Sequence, residues 1–311
     1  MKNILVTCPP MLGNIDQFYK YADELGLHIK AAKVSQTLTI NELVDIVPKY
    51  DGWIIGDDPA CREVLEAGKK GKLAAAVKWG IGVDNVDFNA FNELGIPIEN
   101  TPGMFGNEVA DIALAYLIAL SRHIVSIDQS VRKGNWIKPA GISLKDKVVG
   151  LVGFGDIGQC TAKRLIACEM KIIAYDPYYS GTVDYGDKLK FGIWPNFLEK
   201  CDFLILNCAL TKSSYHLINS ESIKLMKKGI SIINVARGPI IEENSLIENL
   251  ENGHIKSVAL DVFEKEPLSL ASPLIHNKNT ILGSHNASNT FEAVTRTSQK
   301  ALEIIYKLLN K

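Results

Sequence analysis

A glycine-rich loop between an apolar strand and a helix most narrows what this chain can fold into. The run Val148–Val152 is uniformly apolar, and Gly153-Phe-Gly155-Asp-Ile-Gly158 follows it directly. In this pattern Gly153 allows a tight turn, Gly155 lets a ligand approach the backbone, and Gly158 lets the next helix pack closely on the strand. Because the N-terminus of that helix presents free N–H groups to phosphates, the loop predicts a dinucleotide site.

Acidic side chains near the loop refine this prediction. Asp176 ends the next strand, where a carboxylate binds the ribose hydroxyls of an adenosine and repels a 2′-phosphate, so NAD is favoured over NADP. The alternative is that Asp176-Pro177 forms a simple turn. Asp156 and Ile157 lie inside the loop and are expected to contact the cofactor. The Asp156 carboxylate would weaken pyrophosphate binding if it faced the ligand and would cost little if it faced solvent.

Strand and helix patterns alternate twice along the chain. Short apolar runs such as residues 4–6 and 53–55 alternate with helical segments, and a second alternation begins at Val148. This predicts an α/β protein with parallel sheets. Between the two series, residues 108–127 predict one long, almost continuously apolar helix, buried between domains or between subunits. A final amphipathic helix is predicted at residues 290–309.

Composition and charge exclude several classes of partner. The net charge is −1, from 34 basic and 35 acidic side chains without a basic block, so no nucleic-acid partner is expected. The six cysteines show neither C-x-x-C pairs nor zinc spacing, which predicts free thiols and no metal site.

The apolar start of the chain is too short for a signal peptide. The longest apolar helical run includes Asp111 and is shorter than the roughly 20 residues that span a bilayer. A cytoplasmic protein without a membrane partner is therefore expected.

Three polar side chains follow three predicted strands of the second series. Arg237, Glu266 and His285 come after the strands at residues 230–234, 257–260 and 280–282, respectively. Carboxyl ends of parallel strands meet at one edge of a sheet, where the sites of α/β proteins lie. Taken alone, Arg237 is more simply explained as a surface charge, Glu266 as a loop acid and His285 as a strand cap. The three together, in a dinucleotide domain, predict one catalytic site.

The chemistry of these three groups suits hydride exchange with a 2-hydroxy acid. An imidazole can give or accept a proton near neutral pH, and a neighbouring carboxylate favours the imidazolium and fixes its tautomer. A guanidinium can bind a carboxylate through two parallel hydrogen bonds and polarise a carbonyl. During reduction of a 2-oxo acid, His285 would protonate the forming alkoxide, Glu266 would orient His285, and Arg237 would bind the substrate carboxylate.

Four motifs together are characteristic of one enzyme family: Val152-Gly-Phe-Gly-Asp-Ile-Gly158, Asn234-Val-Ala-Arg-Gly238, Asp261-Val-Phe-Glu-Lys-Glu-Pro267 and Gly283-Ser-His285. Through them the chain resembles the D-isomer-specific 2-hydroxyacid dehydrogenases over essentially its whole length. The resemblance implies that Arg237 is the substrate arginine, Glu266 the paired acid and His285 the acid–base histidine. It also implies that Ala209, Thr211, Ala236 and Asp261 contact NAD.

The same resemblance implies two doubly wound parallel-sheet domains with the cleft between them. Residues 1–101, with 287–311 returning, would form a flavodoxin-like substrate domain, and residues 102–286 a Rossmann NAD domain. The helix at residues 108–127 would link them and pack against a second subunit of a homodimer. One departure is Asn207-Cys-Ala-Leu-Thr211, where the family often has His-x-Pro-Leu-Thr. This change is expected to reshape the ribose pockets without removing activity.

The loop Lys78-Trp79-Gly80-Ile81-Gly82 resembles the substrate loop of the phosphoglycerate-type members. Lys78 stands where those enzymes often have a phosphate-binding arginine, although a lysine at a strand end can also extend to solvent. Backbone N–H groups at Gly80 and Gly82 could face a substrate carboxylate. Trp79, Ile81 and Asn107 complete the expected substrate contacts.

These contacts predict a phosphoglycerate-like or other anionic 2-hydroxy acid. The alternatives are a reductase of simple 2-oxo acids, such as glyoxylate, hydroxypyruvate or pyruvate, and an NAD-sensing corepressor-like protein. A formate dehydrogenase would pair its histidine with glutamine, whereas this chain has Glu266. A phosphite-oxidising relative keeps the glutamate and stays open.

Overall fold

The chain forms two compact units in a computed structural model that describes residues 1–34 and 36–311. Unit 1 comprises Met1–Met104 and Asn289–Lys311, and unit 2 comprises Phe105–Ser288. The domain boundaries expected from the sequence, at 101 and 287, lie within three residues of these. Both chain ends therefore belong to the same unit.

Unit 1 is built on a five-stranded parallel sheet, with strand order β2-β1-β3-β4-β5. This is the doubly wound order in which the crossover direction changes between β1 and β3. The strands are β1 (Lys2–Val6), β2 (Leu27–Ala31), β3 (Gly52–Ile55), β4 (Ala75–Lys78) and β5 (Ile98–Asn100). The helices are α1 (Pro9–Leu12), α2 (Asp16–Glu24), α3 (Ile40–Ile46), α4 (Arg62–Lys70), α5 (Phe88–Glu93) and the C-terminal α12 (Phe291–Leu309).

The C-terminal helix α12 returns to unit 1 and covers its sheet. It begins where the Thr290 side chain accepts the N–H of Ala293, which satisfies one of the free donors of the first turn. Its buried face repeats every three to four residues, and it packs on β3 and β4. The amphipathic helix predicted from residue 290 is therefore present, and it belongs to the core of unit 1.

Unit 2 is built on a seven-stranded parallel sheet, with strand order β12-β11-β10-β9-β6-β7-β8. The two doubly wound sheets confirm the predicted fold class. The strands are β6 (Val148–Val152), β7 (Lys171–Tyr175), β8 (Leu189–Phe191), β9 (Phe203–Leu206), β10 (Ile230–Asn234), β11 (Ile255–Leu260) and β12 (Thr280–Leu282). The helices are α6 (Gly106–Arg122), α7 (Ile124–Arg132), α8 (Asp156–Ala167), α9 (Ser220–Lys224), α10 (Glu243–Glu251) and α11 (Pro273–His276).

The prediction of one helix over residues 108–127 was wrong in its extent. The helix ends at Arg122, because His123 adopts a left-handed conformation with φ of 56°, and α7 starts afresh at Ile124. Small side chains such as Ala110 and Ala113 let α6 pack on α8 inside unit 2. No single helix among the described residues is long and apolar enough to cross a membrane. The pair α6 and α7, which is bent by 63°, has the length and composition of a membrane span only when the two helices are taken together.

Candidate active site

Arg237, Glu266 and His285 lie in three loops that follow neighbouring strands of the unit 2 sheet. We call residues 234–238 the arginine loop, residues 261–267 the acid loop and residues 283–287 the histidine loop. They extend from the carboxyl ends of β10, β11 and β12, which are adjacent and parallel. The sheet thus carries all three loops on one edge, as the sequence predicted.

The imidazole of His285 is hydrogen-bonded to the carboxylate of Glu266. His285 Nδ1 lies 2.8 Å from Glu266 Oε2, and both side chains are about three-quarters buried. An ionised carboxylate can only accept, so Nδ1 carries the hydrogen of this bond, and the other ring nitrogen, Nε2, takes no part in it. The second oxygen, Glu266 Oε1, accepts the N–H of Phe263 at 3.0 Å, so the acid loop itself orients the carboxylate.

Asp261 fixes the histidine loop through three hydrogen bonds. Its carbonyl accepts the N–H of His285 at 2.7 Å, and its carboxylate accepts the N–H groups of Asn286 and Ala287 at 3.2 and 2.8 Å. His285 itself has a φ of 55°, a conformation that non-glycine residues adopt only when their surroundings impose it. The sequence resemblance assigned Asp261 to the cofactor; it did not predict this bracing role.

A half-buried tyrosine lies against the Asp261 carboxylate. The hydroxyl of Tyr116, on α6, donates to Asp261 Oδ1 at 3.4 Å. Burial, reinforced by the charge of Asp261, raises the pKa of the Tyr116 hydroxyl, so it stays a donor throughout the physiological range. A Cβ atom on Gly283 would lie 2.3 Å from Asp261 Oδ1 and 2.4 Å from the Tyr116 oxygen. Glycine is therefore required where β12 passes into the histidine loop.

The arginine loop is held by Asn234, which is almost fully buried. Its side chain donates to the carbonyl of Arg237 at 2.9 Å and accepts the N–H of Ala236 at 3.0 Å. The guanidinium of Arg237 donates to the carbonyl of Ala236 at 2.8 Å. A Cβ on Gly238 would lie 1.8 Å from the carbonyl carbon of Phe263, so the arginine and acid loops pack backbone against backbone.

The glycine loop matches the geometry that a dinucleotide requires. Gly153 has φ of 92°, and a Cβ there would lie 2.5 Å from the backbone nitrogen of Cys208. A Cβ on Gly158 would lie 2.2 Å from the Gly153 carbonyl oxygen, so α8 packs directly on the loop. Around Gly155, by contrast, a Cβ would meet no atom within 4 Å, which leaves room for a pyrophosphate at the helix N-terminus.

The two acidic residues of the cofactor region have distinct surroundings. Asp176 accepts the N–H groups of Phe154 at 2.8 Å and Tyr178 at 2.9 Å, so its carboxylate braces the glycine loop and keeps further lone pairs for ribose hydroxyls. The Asp156 carboxylate faces Gly106, since a Cβ there would lie 2.5 Å from Asp156 Oδ1. It thus lies at the N-terminus of α6, where the helix dipole favours a negative charge.

The segment after β9 supplies an unpaired polar group beside the glycine loop. Among the residues that the structure describes, neither side-chain atom of the buried Asn207 amide has a hydrogen-bond partner. Ser214 fixes the neighbouring backbone by accepting the N–H of Thr211 and donating to the carbonyl of Ala209. A buried amide next to Gly153 lacks partners unless a polar ligand supplies them, which fits a dinucleotide. Ile157 lies in the first turn of α8, and its carbonyl accepts the Thr161 hydroxyl.

The predicted substrate loop lies in unit 1, after β4. The Lys78 ammonium donates to the carbonyl of Gly56 at 2.6 Å and to Asp57 Oδ1 at 3.2 Å, and its side chain is 3% exposed. The N–H of Gly80, expected to face a carboxylate, instead donates to the Thr101 hydroxyl at 2.8 Å. No acceptor within residues 1–34 and 36–311 takes the N–H groups of Ile81 and the following Gly82, so these two stay available.

The remaining two predicted substrate residues have partners in their own units. The indole of Trp79 donates to the Ser298 hydroxyl at 3.1 Å and is nearly buried. Asn107, in the first turn of α6, accepts a long hydrogen bond of 3.4 Å from Arg164. Arg164 in turn forms an ion pair with Asp111, which anchors α8 to α6. Asn107 is exposed, whereas Trp79 has a packing role in unit 1.

Comparisons with known proteins agree with this site. Residues 114–287 match the family described as the NAD binding domain of the D-isomer specific 2-hydroxyacid dehydrogenases. The chain is 37% identical over 303 residues to hydroxypyruvate reductase of Thermotoga maritima, covering 94% of this chain and 96% of that protein. It is 35% identical over 315 residues to D-3-phosphoglycerate dehydrogenase of Methanocaldococcus jannaschii, covering 99% of this chain and 58% of that protein.

Solved structures share the whole fold. The apo-structure of D-lactate dehydrogenase from Escherichia coli superposes with a TM-score of 0.83 at 27% identity, covering all of this chain and 97% of that one. Sequence and structure matches both extend over nearly the entire chain, and the hydrogen-bonded pair of Glu266 and His285 lies at the strand ends where the sequence pattern predicted it. This chain therefore belongs to the D-isomer-specific 2-hydroxyacid dehydrogenases, NAD-dependent oxidoreductases that act on the CH–OH group of their donors.

Proposed function

We propose that the chain reduces a short, unphosphorylated 2-oxo acid, such as hydroxypyruvate or glyoxylate, to the D-2-hydroxy acid. The observation that carries this choice is the pairing of Lys78 with Gly56 and Asp57 inside unit 1. Two of the three ammonium donors are used, and a carboxylate compensates the charge. A phosphate bound there would have to displace Asp57 or share the cation with it, and like charges repel.

The proposed chemistry uses the three loops of unit 2. NADH, when bound at the glycine loop, supplies the hydride that goes to C2 of the oxo acid. Arg237 would bind the substrate carboxylate and polarise the carbonyl. His285 Nε2 would give its proton to the oxygen as the C–H bond forms, while Glu266 stabilises the imidazolium through Nδ1. Proton and hydride together convert the carbonyl to CH–OH.

We infer that the N–H groups of Ile81 and Gly82 take part in binding a substrate carboxylate. Two successive backbone donors form a small anion-binding concavity. The Ile81 side chain is 46% exposed, so the backbone at this point is accessible to a small molecule. We assign these two amides, rather than that of Gly80, to the substrate.

A phosphorylated substrate is the second candidate. It is favoured by the position of Lys78 at the end of β4 and by the 35% identical relative named D-3-phosphoglycerate dehydrogenase. The relative named hydroxypyruvate reductase is 37% identical and aligns with 94% of this chain, and the pairing of Lys78 with Asp57 counts against a phosphate. The balance supports the unphosphorylated acid.

A turnover panel tests the proposal directly. Oxidation of NADH would be followed at 340 nm with hydroxypyruvate, glyoxylate, pyruvate and phosphohydroxypyruvate at equal concentrations. We expect the highest kcat/KM with one of the first two. A higher kcat/KM with phosphohydroxypyruvate would establish the phosphorylated candidate. Binding of NADH without turnover of any acid would instead support an NAD-sensing, corepressor-like protein.

We infer that the chain forms a homodimer through the segment that follows α6. This segment, residues 124–142, has a row of exposed apolar side chains in unit 2, and an exposed apolar row of this kind marks an interaction surface. Sedimentation velocity on the purified protein tests the assembly. Trp136→Glu should shift the dimer to monomer, whereas a monomeric wild type would refute the inference. The exposed residues are Ile124, Val125, Val131, Trp136 and Ile137.

We further infer a cytoplasmic location. All six cysteines are free thiols in the structure, and Cys8 and Cys201 are buried, which suits a reducing compartment. Fractionation of cells that express the protein, followed by immunodetection, tests this inference. Recovery in a membrane or secreted fraction would contradict it.

A further inference from the structure

The acid loop carries two carboxylates, and each is hydrogen-bonded to a histidine from a different part of unit 2. Glu266 Oε2 lies 2.8 Å from His285 Nδ1, and Glu264 Oε1 lies 2.5 Å from His216 Nε2. The first pair belongs to the proposed reaction. The second has no role in it, yet only one residue separates the two carboxylates along the chain.

We propose that His216 is a positioning residue: through Glu264 it fixes the acid loop and thereby aligns Glu266 with His285. The proposal rests on the acid–base role proposed above for Glu266 and His285. It assigns no contact with substrate to His216. According to the proposal, the alignment of Glu266 with His285 depends on the hydrogen bond between His216 and Glu264.

The His216 ring is itself rigidly held. Its backbone N–H donates to the carbonyl of Pro239, immediately beyond the arginine loop, at 2.9 Å, and its carbonyl accepts the Asn219 side chain at 2.9 Å. Its ring stacks on Tyr215, with centroids 4.0 Å apart and planes 18° apart. His216 therefore anchors Glu264 to the segment that also carries the cofactor residues Ala209 and Thr211.

Glu264 also lies near another acid, Glu243. Burial raises the pKa of the Glu243 carboxyl, and the negative charge of Glu264 raises it further. Two carboxylates thus lie close to each other at the start of α10. A hydrogen-bond donor on His216 offsets this repulsion, so removing the ring would push Glu264 away from Glu243.

A movement of Glu264 would reach Glu266 through Phe263, the residue before Glu264. The N–H of Phe263 donates to Glu266 Oε1. Gly238 packs against the next peptide group, between Phe263 and Glu264, since a Cβ on Gly238 would lie 2.4 Å from the Glu264 nitrogen, so the loop has no free space in that direction. A shift of Glu264 that carries Phe263 along turns the Glu266 carboxylate, and with it the hydrogen bond that holds His285.

The proposal predicts a loss in the chemical step rather than in cofactor binding. Because the His216–Glu264 pair is about one-third exposed, His216→Ala should lower kcat by about 3- to 20-fold, less than a fully buried charged pair would give. The KM for NADH should change less than about twofold. Glutamine can place a donor near the position of Nε2, so His216→Gln should recover most of the lost kcat.

A double-mutant cycle in the full-length protein tests the coupling. His216→Ala, Glu264→Ala and the double variant would be compared on the 2-oxo acid that wild type reduces fastest. We expect similar losses in the single variants and no further loss in the double variant. Unchanged kcat in His216→Ala, additive losses, or failure of His216→Gln to recover activity would each overturn the proposal.

A measurement without turnover separates this proposal from the proposed function. Amide exchange of Phe263, read by NMR, reports directly on its hydrogen bond to Glu266. Exchange should accelerate in His216→Ala relative to wild type, while the buried strand amide of Val149 stays protected. If Phe263 exchange is unchanged, the positioning role is refuted even when the enzyme is active. If it accelerates but no 2-oxo acid is reduced, the proposed function fails and the alignment stands.

Discussion

The carbonyl of Asp261 accepts the N–H of His285 at 2.7 Å, at a point where His285 adopts a left-handed backbone conformation. The same residue accepts the next two N–H groups of the histidine loop with its carboxylate. Three consecutive amides thus converge on one aspartate. Asp261 therefore imposes the strained conformation of His285, the proposed acid–base residue. The direction of the His285 ring thus depends on β11, which Asp261 follows, as much as on β12.

Replacing His285 by alanine tests its proposed part in proton transfer. We expect His285→Ala to lower kcat by about two to four orders of magnitude, the usual contribution of a general acid–base residue. NADH should still bind, since the glycine loop and Asp176 are untouched, and quenching of protein fluorescence would report it. Turnover close to wild type would remove His285 from the mechanism.

Replacing Glu266 by glutamine removes the charge that stabilises the imidazolium of His285. Reduction requires the imidazolium, so the loss of a carboxylate at 2.8 Å should make reductive activity decline at a lower pH than in wild type. The measurement is kcat/KM for the 2-oxo acid against pH in both proteins. Glu248→Gln, on the neighbouring helix α10, serves as the control. Superimposable profiles for wild type and Glu266→Gln would show that the carboxylate does not influence the proton donor.

Adding a methyl group at Gly283 should disturb the junction of β12 and the histidine loop. The new Cβ would lie 2.3 Å from Asp261 Oδ1 and 2.4 Å from the Tyr116 hydroxyl oxygen. Overpacking of this kind costs about 1–3 kcal/mol, so Gly283→Ala should lower both Tm and kcat. Gly13→Ala is the matched control, because its Cβ meets no atom closer than 3.6 Å. Equal Tm values for the two variants would contradict the packing described here.

Removing the charge of Asp57 tests whether it shields Lys78 from an anionic substrate. Asp57→Asn should raise the kcat/KM for phosphohydroxypyruvate relative to hydroxypyruvate by about 3- to 10-fold, the scale of a partly exposed ion pair. Asp23→Asn, an exposed residue of α2, controls for net charge. An unchanged ratio would mean that Lys78 has no electrostatic influence on the substrate, and the pairing of Lys78 with Asp57 would then not explain a preference for an unphosphorylated acid.

The apolar strands could be predicted from the sequence, whereas three of the four edge strands could not. β6, β10 and the edge strand β12 were placed at their observed bounds because they are uniformly apolar or nearly so. The edge strands β2, β5 and β8 were missed, since each places charged side chains in a short run and lacks the apolar signal. The charged residues are Lys30, Glu99 and Lys190.

The contacts around the Glu266–His285 pair were harder to predict than the pair itself. Arg237, Glu266 and His285 were predicted as site residues because each follows a strand within a recognisable motif. The bracing by Asp261 depends on how β11 and β12 align, and His216 lies in no predicted element, so neither follows from spacing along the chain. The break at His123 was missed because Ile124 and Val125 continue the apolar pattern. The positive φ angle of His123 cannot be predicted from the apolar pattern of the sequence.

The pairing of β12 with β11 has a consequence for how activity is gained during folding. β12 has three residues and lies at the sheet edge, with Leu282 opposite Leu260. A slip of one residue would turn every side chain beyond it to the opposite face and detach the histidine loop from Asp261. Turnover therefore reports correct alignment of the last strand of the sheet, and in a refolding experiment it should recover after the bulk of the sheet has formed.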